Sequence, residues 1–384
     1  MTEKLYDFDS YNTEFDAIVL SCTKTEKGYK TELDKTLFFP NEGGQSCDTG
    51  TLNGVEITDV VIDDDRIYHY SDTAFKEGEH VSGKINFAER YRKMQNHTGE
   101  HIICGIANSL YNCENVGFHL GADYVTMDLD KPLSDEETKK IELLANEAIY
   151  KNADVRAYYP SKDELSALKY RSKSDIDGNI RIVEIDGIDI CACCAPHVKK
   201  TGEVGIIKIL DRISYKGGAR LTISCGLDAY KDYCERLKRN VYISTLLSAK
   251  QENVGSAVDK LLEDISNLKN ELGKKSEAIT KLYVDSIKDT DENICLFAEN
   301  LSSGEIRHIA NALKEKTPKI AAVFSGNDDN GYNYVISSGN IDLKELSKEI
   351  NLALSGRGGG TKEMIQGNVS AGKNIIENYF SHQE

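Results

Sequence analysis

The period of apolar and polar positions divides the chain into four regions. Residues 15–85 alternate in short runs, "FDAIVLSC", "TELDKTLFF" and "GVEITDVVIDDDRIYHY", interrupted by the glycine-rich "NEGGQSCDTG". Strict alternation broken by turn residues predicts half-buried strands, and several of them in series predict a small antiparallel barrel. Residues 88–230 mix both periods. "ERYRKMQNHTGEHIICGIANSLY" and "SDEETKKIELLANEAIY" carry helical spacing, and Ser134 with Glu137 three positions on forms a capping box at the start of the second. "YVTMDLD", "IRIVEIDGIDICACC", "VGIIKILDRISYK" and "ARLTISCG" read as strands.

From 231 to 288 the pattern is one long polar helix with Val258, Leu261, Ile265, Leu268, Leu272, Ile279 and Leu282 on a and d positions and Lys275 breaking the seam. This predicts a coiled-coil arm; a single helix packed on a domain is the alternative, and Gly255 and Gly273 weaken either. Residues 291–384 alternate "ICLFAE", a helix, "KIAAVFSG", "YNYVISSG", a second helix and "SGRGGGTKEMIQGN", the order of a small α/β domain. The fold class is therefore α+β: an N-terminal small β-barrel over 1–87, a mixed domain over 88–230, a coiled-coil arm over 231–288 and a C-terminal small α/β domain over 289–384.

A length of 384 residues agrees with several cores. With no apolar run long enough to span a bilayer and no signal-like start, the chain reads as soluble and cytoplasmic. The ten cysteines, several of them clustered at 191–194, look like reduced thiols or metal ligands and not a disulfide framework. A net charge of −16 excludes a protein that coats nucleic acid nonspecifically. It leaves room for a local groove, and "ERYRKMQNH", "LKYRSKSDIDGNIR" and "DRISYKGGAR" are the basic patches. Arg90, Arg92, Lys93, Lys169, Arg171 and Lys173 are expected to line such a groove.

The chemistry concentrates in two places. "QNHTGEHIICG" sets His97 and His101 four apart on one helix face, and "CACCAPHVKKTGEVG" sets Cys193 and His197 four apart at a strand end. Two nitrogen and sulfur pairs of borderline softness suit zinc in tetrahedral geometry. Cys191 or Cys194 could replace Cys193; spacing favours Cys193. Four protein ligands would close a structural site, whereas a hydrolytic site keeps one position open, and the sequence leaves both readings standing. Gln45 and Thr98 offer an amide and a hydroxyl near this chemistry, and Glu42 and Asp48 could orient ligands from behind. Glu100 is a possible base, expected at helical spacing to point away from the histidine face.

Together, "NHTGEH", Cys193-x₃-His197 followed by "VKKTGEVG", and "FFPNEGGQSCDTG" at 38–50 resemble the editing domain of alanyl-tRNA synthetases and of their free-standing relatives, the AlaX proteins. The arm and "SGRGGGTKEMIQGN" extend the resemblance to the synthetase C-terminal domain, as in the long form of AlaX. The resemblance implies a zinc-dependent aminoacyl-tRNA deacylase whose metal ligands are His97, His101, Cys193 and His197. Gln45 and Thr98 would be pocket residues, and the substrate an alanine-accepting tRNA mischarged with serine or glycine. It also implies a homodimer through the arm and C-terminal region. No amino-acid-activating domain precedes the barrel, so charging is not implied. Cys194, Ala195 and Pro196 stand where the family usually has Gly-Gly-Thr, which keeps the ligands and loses two glycines and a hydroxyl. The alternative is a non-catalytic tRNA-binding or dimerising factor whose zinc is structural.

Overall fold

A computed structural model describes residues 1–121, 124–172 and 179–381. They fall into two compact units, Met1–Tyr242 and Ile243–Glu384. No helix among the described residues is long and apolar enough to cross a membrane.

In the first unit the alternating segment forms a seven-stranded sheet. Its order is Val55–Ile57, Gly50–Leu52, His80–Ile85, Glu14–Thr25, Gly28–Leu33, Arg66–Ser71 and Asp59–Asp63. The two edge strands are consecutive in the chain and separated by Thr58 alone, so the sheet curls until it is nearly closed. Leu33, Phe38, Phe39, Leu52, Val60 and Ile67 fill it.

Helix α1 (Phe87–Tyr111) follows, with Asn86 accepting from the Glu89 N–H as its cap. Helix α2 (Asp135–Lys151) opens on the Ser134–Glu137 capping box. Both pack on a four-stranded antiparallel sheet ordered Asn115–Leu120, Val125–Leu129, Gly218–Cys225, Ile207–Tyr215. The segment read as one strand over 180–194 is a hairpin, Ile182–Ile185 and Asp189–Ala192, turning at Gly187 with φ of 69°. A third strand, Val155–Tyr158, joins it, followed by the short α3 (Lys162–Ala167).

The barrel and the mixed segment fold as one unit because buried groups tie them together. Arg90 of α1 and Asp48 of the barrel loop form a fully buried ion pair, with Arg90 Nε 3.0 Å from Asp48 Oδ1. Asp48 also accepts from the Phe39 N–H at 2.7 Å, and Arg90 donates to the Leu37 carbonyl. Ala195, next to the candidate ligands, belongs to the barrel's apolar core.

The single helix expected over 231–288 is two helices, α4 (Gly226–Leu246) and α5 (Val254–Ser286). Ser248 takes φ of 51° and Gln251–Asn253 form a 3₁₀ turn, so the chain leaves helical geometry between them. The connecting residues 247–253, "LSAKQEN", hold no glycine or proline, so composition gave no sign of this break. In the second unit, α5 leads to a five-stranded sheet ordered Ile294–Ala298, Ala321–Asn327, Gly331–Ser337, Met364–Val369, Gly356–Gly360. Only the first pair is parallel. Alternate residues of Ala321–Asn327 face opposite cores. Ala321 and Val323 pack with Ile306, Ile309 and Leu313 of α6 (Ser303–Leu313). Ala322 and Phe324 pack with Leu343 and Ile350 of α7 (Leu343–Ala353) and Phe380 of α8 (Lys373–Ser381).

Candidate metal centre

Helix α1 supplies His97 and His101 from adjacent turns of one face, with ring centroids 5.4 Å apart. The loop after the Asp189–Ala192 strand supplies Cys193 and His197. Arg181 fastens that loop by donating from Nη1 to the carbonyls of Cys193 at 3.2 Å and Ala195 at 2.8 Å. Ser10 Oγ donates to the His197 carbonyl at 3.0 Å. Donor atoms of His97, His101, Cys193 and His197 all lie within 4.8 Å of one another. Cys193 Sγ is 3.6 Å from His97 Nε2 and 3.4 Å from His197 Nε2. Neither Cys191 nor Cys194 joins this group of four among the described residues.

Each imidazole is held from behind through Nδ1. His97 Nδ1 meets Gln45 Oε1 at 2.8 Å, His197 Nδ1 meets Thr98 Oγ1 at 3.0 Å, and His101 Nδ1 meets Asp189 Oδ2 at 2.9 Å. Engaging Nδ1 leaves Nε2 to face the common centre, which is the tautomer and orientation a metal ligand needs. Three imidazoles and one thiolate form a donor set suited to a borderline-soft divalent ion, and the residues fit a metal.

Electrostatics separates the thiols. Burial alone would raise Cys193, but His97 and His197 beside it hold its thiol well below the usual range. Burial pushes Cys191 up, and burial together with the neighbouring Cys193 and Glu42 pushes Cys194 far up. Burial drops His197 to about 3, keeping the ring neutral. Burial opposes charge on His101 as well, yet its contacts with Asp189 and Cys193 raise it well above its ordinary value. A metal held through His101 would require that proton to leave.

Gln45 reaches His97 because the loop 41–47 folds back on itself: Gln45 N–H donates to the Glu42 carbonyl, and Glu42 N–H to that of Gln45. Gly44 takes φ of +82°, where a Cβ would lie 2.3 Å from the Phe118 carbonyl, so glycine is required. The Phe118 ring covers His97 with centroids 4.6 Å apart. Gln45 Nε2 has no protein partner among the described residues. Asp48 lies behind the loop, paired with Arg90. Glu100 does not point away: its Oε2 is 3.8 Å from His101 Nε2, because the third residue after His97 returns to the same helix face. Its other oxygen accepts from Asn115 and Cys104.

Sequence reasoning missed Asp189 as a partner of His101, and missed Arg171 as the residue that grips Asp189, with Nε 2.8 Å from Oδ1 and Nη2 2.7 Å from Oδ2. Nothing in their spacing signals this, since Asp189 is 88 residues from His101. The expected basic groove is also corrected. Arg90 and Lys93 are buried, the first on Asp48 and the second on Glu89 at 2.8 Å; Arg92 pairs with Asp228 at 2.6 Å, and Arg171 is spent on Asp189. Lys169 is exposed, and Lys173 lies outside the described residues. Cations on the inner face of a helix are consumed by its own packing.

Two segments of the chain match domains described from aminoacyl-tRNA synthetases and their relatives. Residues 180–221, which carry Cys193 and His197, match the family described as "Threonyl and Alanyl tRNA synthetase second additional domain", and residues 291–378 match the DHHA1 domain. Over nearly its whole length the chain resembles the long-form, AlaX-type alanyl-tRNA editing proteins and the editing and C-terminal parts of alanyl-tRNA synthetase. It is 28% identical over 392 residues to the alanyl-tRNA editing protein AlaX-L of Pyrococcus horikoshii, covering 97% of this chain and 95% of that protein. It is 26% identical to the alanyl-tRNA editing protein Aarsd1 of Danio rerio, over 94% of this chain and 93% of that one. The alanine–tRNA ligase of Haloquadratum walsbyi is 30% identical over 87% of this chain, which spans only 38% of the ligase. The solved C-Ala domain of Aquifex aeolicus alanyl-tRNA synthetase aligns with 24% of this chain and 92% of its own at 23% identity and a TM-score of 0.21.

Proposed function

We propose that the chain is a trans-editing hydrolase that deacylates alanine tRNA mischarged with serine or glycine, with zinc held by His97, His101, Cys193 and His197. The observation that supports it most is the convergence of donor atoms from three imidazoles and the Cys193 thiol within 4.8 Å, each ring steadied through Nδ1. When bound, zinc supplies a Lewis acid for the carbonyl of an ester that is already activated. Gln45 holds His97 with Oε1 and keeps its amide N–H groups for the substrate. Thr98 steadies His197 and accepts the Val198 N–H, tying α1 to the ligand loop. Glu100 is within reach to accept a proton beside His101.

Editing suits such a pocket. A synthetase site shaped for alanine discriminates weakly against glycine or serine, and a second site that rewards a hydroxyl can reject alanine's methyl. On this reading the chain divides at about 87, 230 and 288 into barrel, editing domain, arm and C-terminal domain, works in the cytoplasm, and pairs with a second copy through the arm and C-terminal region. The four protein donors favour one other reading, a structural zinc in a non-catalytic tRNA-binding factor.

Single-turnover deacylation of seryl- and glycyl-alanine tRNA separates the two. Wild type is expected to hydrolyse at least one, and His101→Ala to lose turnover. Zinc content should fall in Cys193→Ala and His197→Ala; full zinc in both would remove the proposed ligand set, and absent turnover in zinc-loaded wild type would leave the structural reading.

A further inference from the structure

His101 is shared by two candidate donor groups. One is the set of four already described. The other is His101, Asp189 and Cys191, whose donor atoms also lie within 4.8 Å of one another and are all buried. A cation in the second group would draw on the Nδ1 side of the ring and on Asp189, taking away the support that points Nε2 at the first. Some feature must decide between them.

We propose that Arg171 and Asp189 are positioning residues that direct the metal to the first group and close the second. Resting on the zinc reading above, the inference has three supports. Of the three residues that meet Nδ1, Asp189 is charged, whereas Gln45 and Thr98 are neutral. A carboxylate accepting the Nδ1 proton fixes the ring and strengthens Nε2 as a donor. Second, the Arg171 fork engages both oxygens of Asp189, so a cation there would have to compete with it. Third, the guanidinium puts a fixed positive charge beside Asp189 and Cys191, which opposes a cation there. Its backbone locks it in place: Arg171 N–H donates to the Ile190 carbonyl and Ala192 N–H to that of Arg171, on either side of Cys191. A lysine would carry the charge without the fork.

Zinc and cobalt titrations of the full chain test this, with affinity read by competition against a chromophoric chelator and thiolate ligation by the near-ultraviolet cobalt absorption. Asp189→Asn, nearly isosteric, is expected to weaken zinc 10–100-fold at an unchanged stoichiometry of one. Arg171→Gln is expected to weaken the first equivalent and admit a second, which Cys191→Ala added to it abolishes. Arg171 lines an open cavity of about 630 Å³, so its replacement leaves no sealed void. Arg171→Lys keeps the charge and should exclude the second equivalent while still loosening the first. Wild-type affinity in Asp189→Asn, or one tightly held equivalent in Arg171→Gln, overturns the inference while leaving the zinc reading intact. Wild type that binds no zinc overturns both, and that arm is read before any variant is made.

Discussion

Helices α1 and α5 both present apolar residues at helical spacing, and they come to opposite ends. Of the 25 residues of α1, 15 are buried, among them Arg90, Lys93, Glu100, His97 and His101. None of the 33 residues of α5 is buried, and its stripe stands in solvent, with Leu268 64% and Leu272 69% exposed. The polar residues of α1 are inside because each has a partner: Asp48 for Arg90, Glu89 for Lys93, Asp189 for His101. Periodicity reports what a face is able to bury. Whether it does so is decided by what lies opposite, and on α1 the opposing groups build the site.

The largest expected effect breaks the α1 side. Arg90→Met leaves Asp48 buried without its cation and should destabilise the first unit by about 3–5 kcal/mol, seen as a fall in its urea midpoint. An unchanged midpoint would mean that the pair contributes nothing and that the barrel is not held to α1 through it.

A second effect comes from His69, sealed in the barrel with Thr36 Oγ1 2.9 Å from Nε2. Burial lowers it to about 4. Above pH ~6.5 the ring is neutral in both folded and unfolded chain and adds no pH dependence. Between 6.5 and 4 only the unfolded chain takes the proton, so stability is lost as pH falls, by about 3 kcal/mol in all. Urea melts from pH 7 to 4.5 should show the decline and His69→Gln should flatten it; an identical slope in that variant would assign the loss to other groups.

Alanine for glycine gives opposite signs in the two helices. At Gly105 of α1 a Cβ would lie 2.4 Å from the Ile188 carbonyl and 2.8 Å from Asp189 Cβ. The hairpin must shift, costing about 1–3 kcal/mol and moving Asp189 from His101. At Gly273 of α5 a Cβ meets nothing within 4 Å, and Gly273→Ala should stabilise by about 0.5–1 kcal/mol through helix propensity. Thermal melts of both variants, with zinc affinity for the first, decide it; the same sign at both positions would dissolve the contrast.

What was legible in the sequence follows the same division. Short-range signals transferred: the Ser134–Glu137 box opens α2, the strands read at "VGIIKILDRISYK" and "ARLTISCG" form and pair, and His97 and His101 share a face. Long-range partners did not. Asp189 behind His101 and Asp48 beneath Arg90 are joined across 88 and 42 residues, and no local period encodes such a meeting. Glu100 was misjudged by counting it off the histidine face, which the 3.6-residue turn does not allow. The break between α4 and α5 falls at "SAKQEN", whose composition differs little from the helices around it.

The smallest expected effect on folding falls on the α5 stripe, where it sharpens the comparison most. In a single chain Leu268 and Leu272 touch mainly water, so replacing both by lysine should change the stability of that chain by less than about 0.5 kcal/mol. If a second copy covers the stripe, the same double substitution places two charges in a helix–helix seam and should convert dimer to monomer in sedimentation at micromolar concentration. Wild type sedimenting as a monomer would leave the stripe a solvated face. A dimer that tolerates both lysines would move the interface off α5. A dimer lost with folding intact would show that α5 resembles α1 after all, its apolar face waiting for a partner that only the assembly provides.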